Sequence, residues 1–563
     1  MTPEAETEVA RSLDLALKCL KYGVETQVTQ SPAFNGWDRK TRTIQELALL
    51  QLSYEALGQR IRCYIVDTYR QLNPIHRLPN ELLVKIFSLV SLEGFCEPQQ
   101  SYLVSLGLVS KQWNRIVYET PSLWSHVSSR YRNQENEAAV IRSQTCPLSV
   151  EFSDDDFKEV IGKKRAAFLD FTSHEAYRWR SIDFKVKYHN TLALLRNFTS
   201  LSVPQLETLS IGYMGPKRGL LVEDRINMFS GRAGRLRHVK LCDLVIPLSS
   251  QLLSRLETLT ITGARVSPGP STNEIIDVLR RCPELRSFEL DYSSEVGIRA
   301  SGATVSEVEA VHLPLLISFD VRLTNAAAFN RIISSVRVPA CTRFILTCND
   351  PTSSIFSHES THFMAALFST IQCLPRIWLM LEVDGLSMGG SDNRSDTMIS
   401  ILLARSSPWE DLDLLIEATT ESGPWPPINA NMYCENPAPF LQVVDILCRM
   451  PSITELKLTG NSNEYIAQLS HPTFHNGEYG WILPNLKTLS LCDCPENGPR
   501  LLKNLPGMRQ FEADLDLDQG IEPPTKLEEV HVVMERDGAP GIGPLYTALR
   551  KEMGNTWDGH ILG

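Results

Sequence analysis

Residues 256–261 read Leu-Glu-Thr-Leu-Thr-Ile, a six-residue pattern that recurs through most of the chain. The general form is L-x-x-L-x-L, with other apolar residues allowed at the three leucine positions. Successive side chains of a β-strand point to opposite faces, so Leu259 and Ile261 share one face and Thr260 lies on the other. The pattern therefore predicts strands that are buried on one face only.

Copies of this pattern follow one another at intervals of mostly about 20 to 35 residues. Between several copies, as in 273–281 and 440–450, apolar residues recur every three or four positions, which is typical of a helix. A strand and a helix in each repeat resemble the leucine-rich repeat. An ordinary α/β domain is the alternative, but no nucleotide-binding glycine loop is present. The copies are Trp179/Ile182/Phe184, Leu206/Leu209/Ile211, Leu236/Val239/Leu241, Leu256/Leu259/Ile261, Leu285/Phe288/Leu290, Leu316/Phe319/Val321, Cys341/Phe344/Leu346, Trp378/Leu381/Val383, Trp409/Leu412/Leu414, Ile453/Leu456/Leu458, Leu486/Leu489/Leu491, Met508/Phe511/Ala513 and Leu527/Val530/Val532.

The predicted fold class is α/β, with an irregular leucine-rich-repeat solenoid of parallel strands and helices over residues 140–540. Residues 541–563 are expected to form a C-terminal tail or capping helix. Residues 1–40, with a loop-forming segment around Pro32 and Gly36, are expected to form a loosely attached arm. Residues 41–72 contain no proline and repeat apolar residues at helical spacing, which predicts one long helix.

The segment that follows the long helix predicts a small helical bundle. Residues 76–90 read His-Arg-Leu-Pro-Asn-Glu-Leu-Leu-Val-Lys-Ile-Phe-Ser-Leu-Val, with a proline suited to a helix start and apolar residues at helical spacing. Residues 101–127 predict two more short helices divided near Gly107 and closed by Pro121. Three helices in about fifty residues expose more apolar surface than they can cover, so we expect this bundle to dock on a partner.

Residues 73–128 resemble the F-box. The resemblance rests on residues 78–83 (Leu-Pro-Asn-Glu-Leu-Leu), on Ile86 and Phe87, on residues 108–113 (Leu-Val-Ser-Lys-Gln-Trp) with Ile116, and on residues 121–124 (Pro-Ser-Leu-Trp). The long helix ahead and the ending Pro-Ser-Leu-Trp-Ser-His-Val are similar to F-box proteins abundant in mushroom-forming fungi. The segment from Ser91 to Ser101 is longer than the turn usual between the first two F-box helices.

The resemblance implies a surface that binds the Skp-type adaptor of a cullin-RING ubiquitin ligase. We assign Leu83, Ile116 and Val117 to the bundle's own core instead. The residues that the resemblance implies for adaptor binding are Leu78, Pro79, Leu82, Ile86, Phe87, Leu108, Val109 and Trp113.

The outward positions of the predicted strands carry more acid than base in the middle of the chain. Glu289, Asp320, Glu382 and Asp413 lie between the last two apolar residues of their copies. We interpret these four residues as candidate substrate-binding residues for a basic or amide-rich protein segment, because complementary charge selects partner and register. A generic solubilising surface is the alternative interpretation.

Residues 358–362 read His-Glu-Ser-Thr-His and match the HExxH zinc motif, with Glu382 as a conceivable third ligand. The loop-forming residues 349–357 precede it, whereas the zinc motif needs a continuous helix around both histidines. We therefore interpret the motif as a polar start to an apolar helix at 363–374. The sequence predicts no catalytic residue, metal or cofactor, and no enzyme.

Composition and sequence pattern limit the classes of partner and the cellular compartment that we expect. A net charge of −11 disfavours nucleic acid as a partner. No apolar run is long enough to span a membrane, and the first ten residues lack the pattern of a secretory signal. Thirteen cysteines without a CxxC pair are typical of free thiols in a reducing compartment, so we expect the cytoplasm or the nucleus.

These observations predict a substrate-recognition F-box subunit of a Skp-cullin-F-box ubiquitin ligase. Such a protein binds the adaptor through its F-box and a protein substrate through its repeats. The alternative is an adaptor-binding scaffold without a role in ubiquitination. A zinc peptidase is a third hypothesis, which metal analysis of the purified protein tests.

Overall fold

A computed structural model gives the fold of the protein, with most residues from 39 to 492 and a last strand near residue 530. It forms two compact units, Met1–Leu123 and Trp124–Gly563. The boundary lies inside the predicted segment 73–128. The residues that the structure does not describe are 1–17, 19–21, 23–38, 73–74, 76–77, 94–98, 157–161, 216–224, 230–231, 244, 264–268, 294–297, 299–309, 351–355, 357–360, 383–384, 393, 395, 405–411, 413–414, 417–423, 435–443, 445–446, 461–462, 470–472, 476–477, 493–523, 526 and 534–563.

The first unit is helical. A long helix occupies the place predicted for residues 41–72, and three shorter helices follow. Part of the segment from Ser91 to Ser101 is itself helical, because the second helix continues to Glu93 and the third begins at Gln99. The predicted arm at 1–40 lies almost entirely outside the described residues. The helices are α1 (Arg39–Leu72), α2 (Asn80–Glu93), α3 (Gln99–Val109) and α4 (Lys111–Glu119), followed by a 3-10 turn at Pro121–Trp124.

The second unit is built around one large sheet. Sixteen of the described strands share it in the order β1-β2-β3-β4-β5-β6-β7-β9-β11-β14-β13-β12-β15-β16-β19-β20. The strands are β1 (His126–Ser128), β2 (Leu148–Ser153), β3 (Trp179–Val186), β4 (Thr208–Tyr213), β5 (His238–Cys242), β6 (Thr258–Thr262), β7 (Ser287–Tyr292), β8 (Val311–His312), β9 (Ser318–Leu323), β10 (Val336–Arg337), β11 (Arg343–Cys348), β12 (Ile377–Glu382), β13 (Gly385–Asp392), β14 (Thr397–Ala404), β15 (Ile428–Cys434), β16 (Ile453–Gly460), β17 (Thr473–His475), β18 (Glu478–Gly480), β19 (Thr488–Cys492) and β20 (Glu529–Val533).

Equivalent positions of the L-x-x-L-x-L pattern lie side by side in this sheet. Leu259 of β6 pairs in register with Phe288 of β7, and Ile261 pairs with Leu290. All four side chains are at most 1% exposed, whereas Thr260 between them is half-buried on the other face. The sheet is mostly parallel and alternates with helices, so the predicted α/β class is confirmed.

Helices between the strands bury their apolar sides in the same hydrophobic cluster as the inward strand residues. In α8, for example, Ile275 and Leu279 are fully buried, and Ser271 caps the first turn together with Glu274. Among the described helices none is long and apolar enough to cross a membrane. The helices are α5 (Asn133–Arg142), α6 (Gly162–Ser173), α7 (His189–Leu195), α8 (Thr272–Arg281), α9 (Ala326–Ser334), α10 (Thr361–Gln372) and α11 (Asn463–Leu469).

The middle of the sheet departs from the predicted repeat. β12, β13 and β14 form an antiparallel meander, and β14 rather than β12 pairs with β11. The copy at Trp409/Leu412/Leu414 is wrong as a strand, because Leu412 is helical and buried. The strand is formed instead by residues 397–404, in which Ile399, Ile401 and Leu403 are buried on one face. Strands β1, β2 and β15 were not predicted from the sequence either, and the copy at Met508/Phe511/Ala513 lies outside the described residues.

Candidate functional site

Helix α2 carries two apolar stripes with different roles. Leu83 and Phe87, one turn apart, are fully buried. Leu82, Ile86 and Leu89 follow a neighbouring stripe, since residues three and four apart lie on one side of a helix. Leu82 is 47% and Leu89 52% exposed, and Ile86 is half-buried. The outer stripe is therefore available for contacts with another molecule.

The start of α2 is held in place by backbone and side-chain bonds. Pro79 precedes the first helical residue, and its carbonyl accepts hydrogen bonds from the amides of Leu82 and Leu83, each at 3.1 Å. Gln112 of α4 donates its Nε2 to Oδ1 of Asn80 at 3.1 Å. Pro79 itself is exposed and Leu78 is half-buried, so both predicted adaptor contacts lie at the edge of the outer stripe.

Two residues that we predicted to contact an adaptor lie in the core. The ring of Phe87 packs against Trp113 with centroids 4.9 Å apart, and the two side chains are 0% and 8% exposed. Ser110 fixes the helix that carries Trp113 by accepting a hydrogen bond from its backbone amide at 3.2 Å. Phe87 and Trp113 therefore support the surface from beneath, because α2 and α4 meet there. Leu83, Ile116 and Val117 are buried as expected.

Helix α3 is uncharged and also exposes apolar side chains. Its sequence, residues 99–109, contains no charged residue. Leu108 is 80% exposed, Val109 58% and Val104 40%. Its turn into α4 is secured by Asn114, whose Nδ2 donates to the carbonyl of Gly107 at 3.1 Å. We call Leu82, Leu89, Val104, Leu108 and Val109 the exposed α2–α3 residues.

Such a group of apolar side chains in water is typical of a binding surface. Leu82, Leu108 and Val109 were predicted from the sequence, whereas Leu89 and Val104 were not. The helical spacing of apolar residues in the sequence indicates both positions. Leu89 lies seven residues after Leu82, and Val104 lies four residues before Leu108.

Two of the four predicted substrate-binding residues are neighbours on the outward face of the sheet. Glu289 of β7 and Asp320 of β9 are paired in register. Glu289 accepts a hydrogen bond from Oγ1 of Thr260 at 3.1 Å. Arg322 holds both carboxylate oxygens of Asp320, from Nε at 2.9 Å and from Nη2 at 2.7 Å.

Burial raises the pKa of the Asp320 carboxyl above its ordinary value, and the neighbouring charges of Glu289 and Asp291 act in the same direction. The hydrogen bonds and the charge of Arg322 oppose this rise. Asp320 is consequently engaged within its own sheet, and only 9% of it is exposed. Glu289 is the more accessible of the two carboxylates.

The other two predicted residues do not extend this acidic pair. Glu382 is the last residue of β12, and β11, β14 and β13 lie between β12 and β9. Asp413 lies outside the described residues. Glu382 therefore lies apart from Glu289 and Asp320, because three strands separate β12 from β9.

The HExxH motif lies at the start of helix α10. His362 is in that helix, while residues 357–360, which include His358 and Glu359, are outside the described residues. Over the described part of the chain, no three His, Cys, Asp or Glu side chains form a group that could hold a metal ion. Glu382, the conceivable third ligand, ends a strand of the sheet.

Comparison with known proteins gives one family. Residues 75–130, about a tenth of the chain, match the F-box-like family model. The match contains α2, α3 and α4 and all of the exposed α2–α3 residues. No curated protein matches the chain. The chain therefore carries an F-box-like domain at residues 75–130, and domains of this kind typically bind Skp-type adaptors.

Proposed function

We propose that this protein is the substrate-recognition subunit of a Skp-cullin-F-box ubiquitin ligase, of the fungal type. The observation that carries the proposal is the exposure of Leu82, Leu108 and Val109 within the F-box-like domain. Apolar side chains at these positions gain free energy when a partner helix removes them from water. The chain itself performs no bond chemistry and acts in the cytoplasm or nucleus.

The proposed mechanism is an increase in effective concentration. The F-box-like domain binds the adaptor, which links the chain to a cullin-RING ligase. The second unit binds a protein substrate, so that a substrate lysine meets the ubiquitin carrier of the ligase many times before it dissociates. The rate of ubiquitin transfer is then set by how tightly the chain binds the adaptor and the substrate, and not by a catalytic group of the chain.

The proposed substrate-binding unit is an irregular leucine-rich-repeat-like solenoid. Support comes from the register of the sheet, in which Leu209, Val239, Leu259 and Phe288 occupy one lateral row. Each of these residues is the second apolar position of its L-x-x-L-x-L copy. An experimental structure in which successive copies are not lateral neighbours would contradict this part of the proposal.

The adaptor interaction is tested with purified Skp-type adaptor and the full chain. A double substitution, Leu108→Asp with Val109→Asp, places two charges on the most exposed of the exposed α2–α3 residues and leaves the core residues Phe87 and Trp113 intact. We expect adaptor affinity to fall at least about tenfold, because two unpaired charges would be buried at the interface. Ile141→Asp is the matched control, since Ile141 is 76% exposed on α5 outside the matched domain.

Two outcomes contradict the adaptor proposal: a wild-type chain that does not bind the adaptor, and a double variant that binds as tightly as Ile141→Asp. Ligase activity is tested separately by reconstituting adaptor, cullin and RING subunits with the chain and a copurifying protein. Chain-dependent ubiquitination of that protein supports a substrate receptor. Adaptor binding without any such ubiquitination favours the scaffold.

A further inference from the structure

The outward face of the sheet carries few charges between β11 and β15. Outward positions on β7 and β9 include Glu289, Asp291, Asp320 and Arg322. Across the next five strands in the sheet, two outward positions are charged, Arg343 at the start of β11 and Glu382 at the end of β12, and twelve others joined by the strand register carry no charge. We call these twelve residues the uncharged window: Ile345, Thr347, Ser387, Gly389, Ser391, Met398, Ser400, Leu402, Trp378, Met380, Asn429 and Asn431.

The uncharged window contains large apolar side chains that reach solvent. Trp378 is 44% and Leu402 48% exposed, and Met380 is half-buried beside them. Their neighbours along the strands, such as Ile377 and Leu403, are at most 1% exposed. The exposed residues therefore lie on the opposite face from the core, because side chains alternate along a strand.

The indole of Trp378 lies over Gly389 of β13, which has no side chain to obstruct it. A Cβ atom on Gly389 of β13 would come within 2.6 Å of Cζ2 of Trp378. Beside the indole is an open cavity of about 320 Å³, lined among others by Met398, Ser400 and Asn429. The carbonyl oxygen Oδ1 of Asn429 is buried and has no hydrogen-bond partner within the described structure. The cavity thus combines an apolar wall with a hydrogen-bond acceptor, and Arg376 lines it as well.

The two borders of the uncharged window differ in charge. On the β9 side the three carboxylates of Glu289, Asp291 and Asp320 outnumber two guanidinium groups, those of Arg322 and of Arg343 on β11. Arg322 lies 2.7 Å from Asp320 and 3.8 Å from Asp291. On the β15 side the charges balance: the guanidinium of Arg376 lies 3.1 Å from the Glu455 carboxylate, and Lys457, in register with Asn431, offsets Glu382 at the end of β12. A partner that covers the window therefore meets net negative charge on one side only.

We propose that the uncharged window binds a protein segment with one large apolar side chain and with Lys or Arg on one side of it. This inference names the substrate class and rests on the proposed function. Adjacent strands lie about 4.8 Å apart, so Glu289 is about 14 Å from the β14 row and about 24 Å from the β12 row. An extended chain covers about 3.4 Å per residue, which places the basic residue about four positions from a side chain on Leu402 and about seven from one on Trp378.

The test uses two fluorescein-labelled peptides with a Gly-Ser background and the purified full chain. One peptide has a Phe with Arg four and seven positions away, and the other has Glu in place of both Arg residues. Fluorescence anisotropy should show the Arg peptide binding at least about tenfold more tightly. Trp378→Ala and, as a second variant, Leu402→Ser should each weaken this binding about tenfold.

Matched controls separate the site from general effects on the fold. Tyr177→Ala removes a 56% exposed aromatic ring elsewhere in the second unit and should leave binding unchanged. Glu289→Arg should reduce the preference for the Arg peptide about tenfold, whereas Glu137→Arg on α5 should not. Melting curves of all variants report whether each one is folded.

Three outcomes would overturn the inference. One is that neither peptide binds, and another is that Trp378→Ala and Leu402→Ser, both folded, bind like wild type. A third is self-association of the chain that Trp378→Ala abolishes, which would identify a second copy as the occupant. Adaptor binding and peptide binding are measured separately, so a failure of this inference is distinguished from a failure of the proposed function. The Leu108→Asp and Val109→Asp double variant should lose the adaptor and still bind the Arg peptide.

Discussion

The rings of Phe87 and Trp113 meet edge to face, with centroids 4.9 Å apart and planes inclined by 61°. This contact joins α2 to α4 inside the first unit. Aromatic pairs in this geometry contribute to stability beyond the area that they bury. The pair holds the two helices at a fixed separation, and the outer stripe of α2 keeps its position as a result.

The first prediction concerns the stability of this unit. Trp113→Ala removes a buried indole and should lower the free energy of unfolding by about 3 to 5 kcal/mol. Leu108→Ala alters a side chain that is 80% exposed and should change the free energy of unfolding by less than about 0.5 kcal/mol. Urea unfolding followed by circular dichroism measures both. Equal effects of the two substitutions would show that the assignment of core and surface is wrong.

The second prediction concerns the strand beneath Trp378. In Gly389→Ala the new methyl group would lie 2.6 Å from Cζ2 of Trp378 and 2.9 Å from the carbonyl oxygen of Ile399. We expect the free energy of unfolding to fall by about 1 to 3 kcal/mol, because either the indole or the backbone must move. Gly234→Ala is the control, since no atom lies within 4 Å of its added Cβ. Thermal unfolding and tryptophan fluorescence of the two variants measure the difference, and identical curves would contradict the close approach.

The third prediction concerns how the stability of the fold depends on pH through Glu151 of β2. A hydrogen bond from His126 and the nearby charge of Arg130, whose Nη2 lies 3.1 Å from Oε1, lower the pKa of Glu151 below its ordinary 4.5. A lowered pKa in the folded state means that Glu151 stabilises the fold fully above about pH 4.5. That stabilisation is lost as the pH falls through the lowered value.

Glu151→Gln should therefore flatten the fall in stability below pH 4.5. Unfolding by urea at a series of pH values measures the slope. Glu137→Gln, at an exposed position of α5, serves as the reference and should keep the wild-type slope. A parallel fall in wild type and Glu151→Gln would rule out this carboxylate as a source of the pH dependence.

The fourth prediction concerns thiol reactivity. Burial raises the pKa of Cys341 to about 12, and the pKa of the buried Cys282 is raised for the same reason. The thiolate is the reactive form, so both residues should resist iodoacetamide in the native protein. Cys63 and Cys373 are exposed and should be alkylated first. Peptide mass spectrometry measures the order, and early labelling of Cys341 would contradict its buried position.

Much of the sheet could be predicted from sequence because the inward residues of one strand face equivalent residues of the next. Leu209, Val239 and Leu259 satisfy this condition, and each lies in a strand at the predicted place. Residues 385–392, by contrast, read Gly-Leu-Ser-Met-Gly-Gly-Ser-Asp and look like a loop. They form a strand because β12 and β14 supply hydrogen-bond partners on both sides, a tertiary effect that outweighs local propensity.

The candidate site could be predicted only in part for a similar reason. Helical spacing placed Leu82 and Phe87 on apolar stripes of α2, but spacing alone does not show which stripe faces the bundle. The partner ring of Trp113 decides this, and it comes from another helix. The exposed residues Leu89 and Val104 were within reach of the same spacing argument, whereas the uncharged window depends on strand order, which no single repeat specifies.

The meander β12–β14 has a consequence for how the second unit assembles. In most of the sheet each strand pairs with the next one along the chain, but Arg343 of β11 pairs with Met398, about 55 residues later. Closing a longer loop costs more chain entropy before any contact is formed. We expect folding that spreads from β1 to pause at β11 until the meander is in place. During synthesis the backbone groups at the edge of β11 would stay unpaired until about 55 further residues had been added, and an unpaired strand edge favours association with other chains.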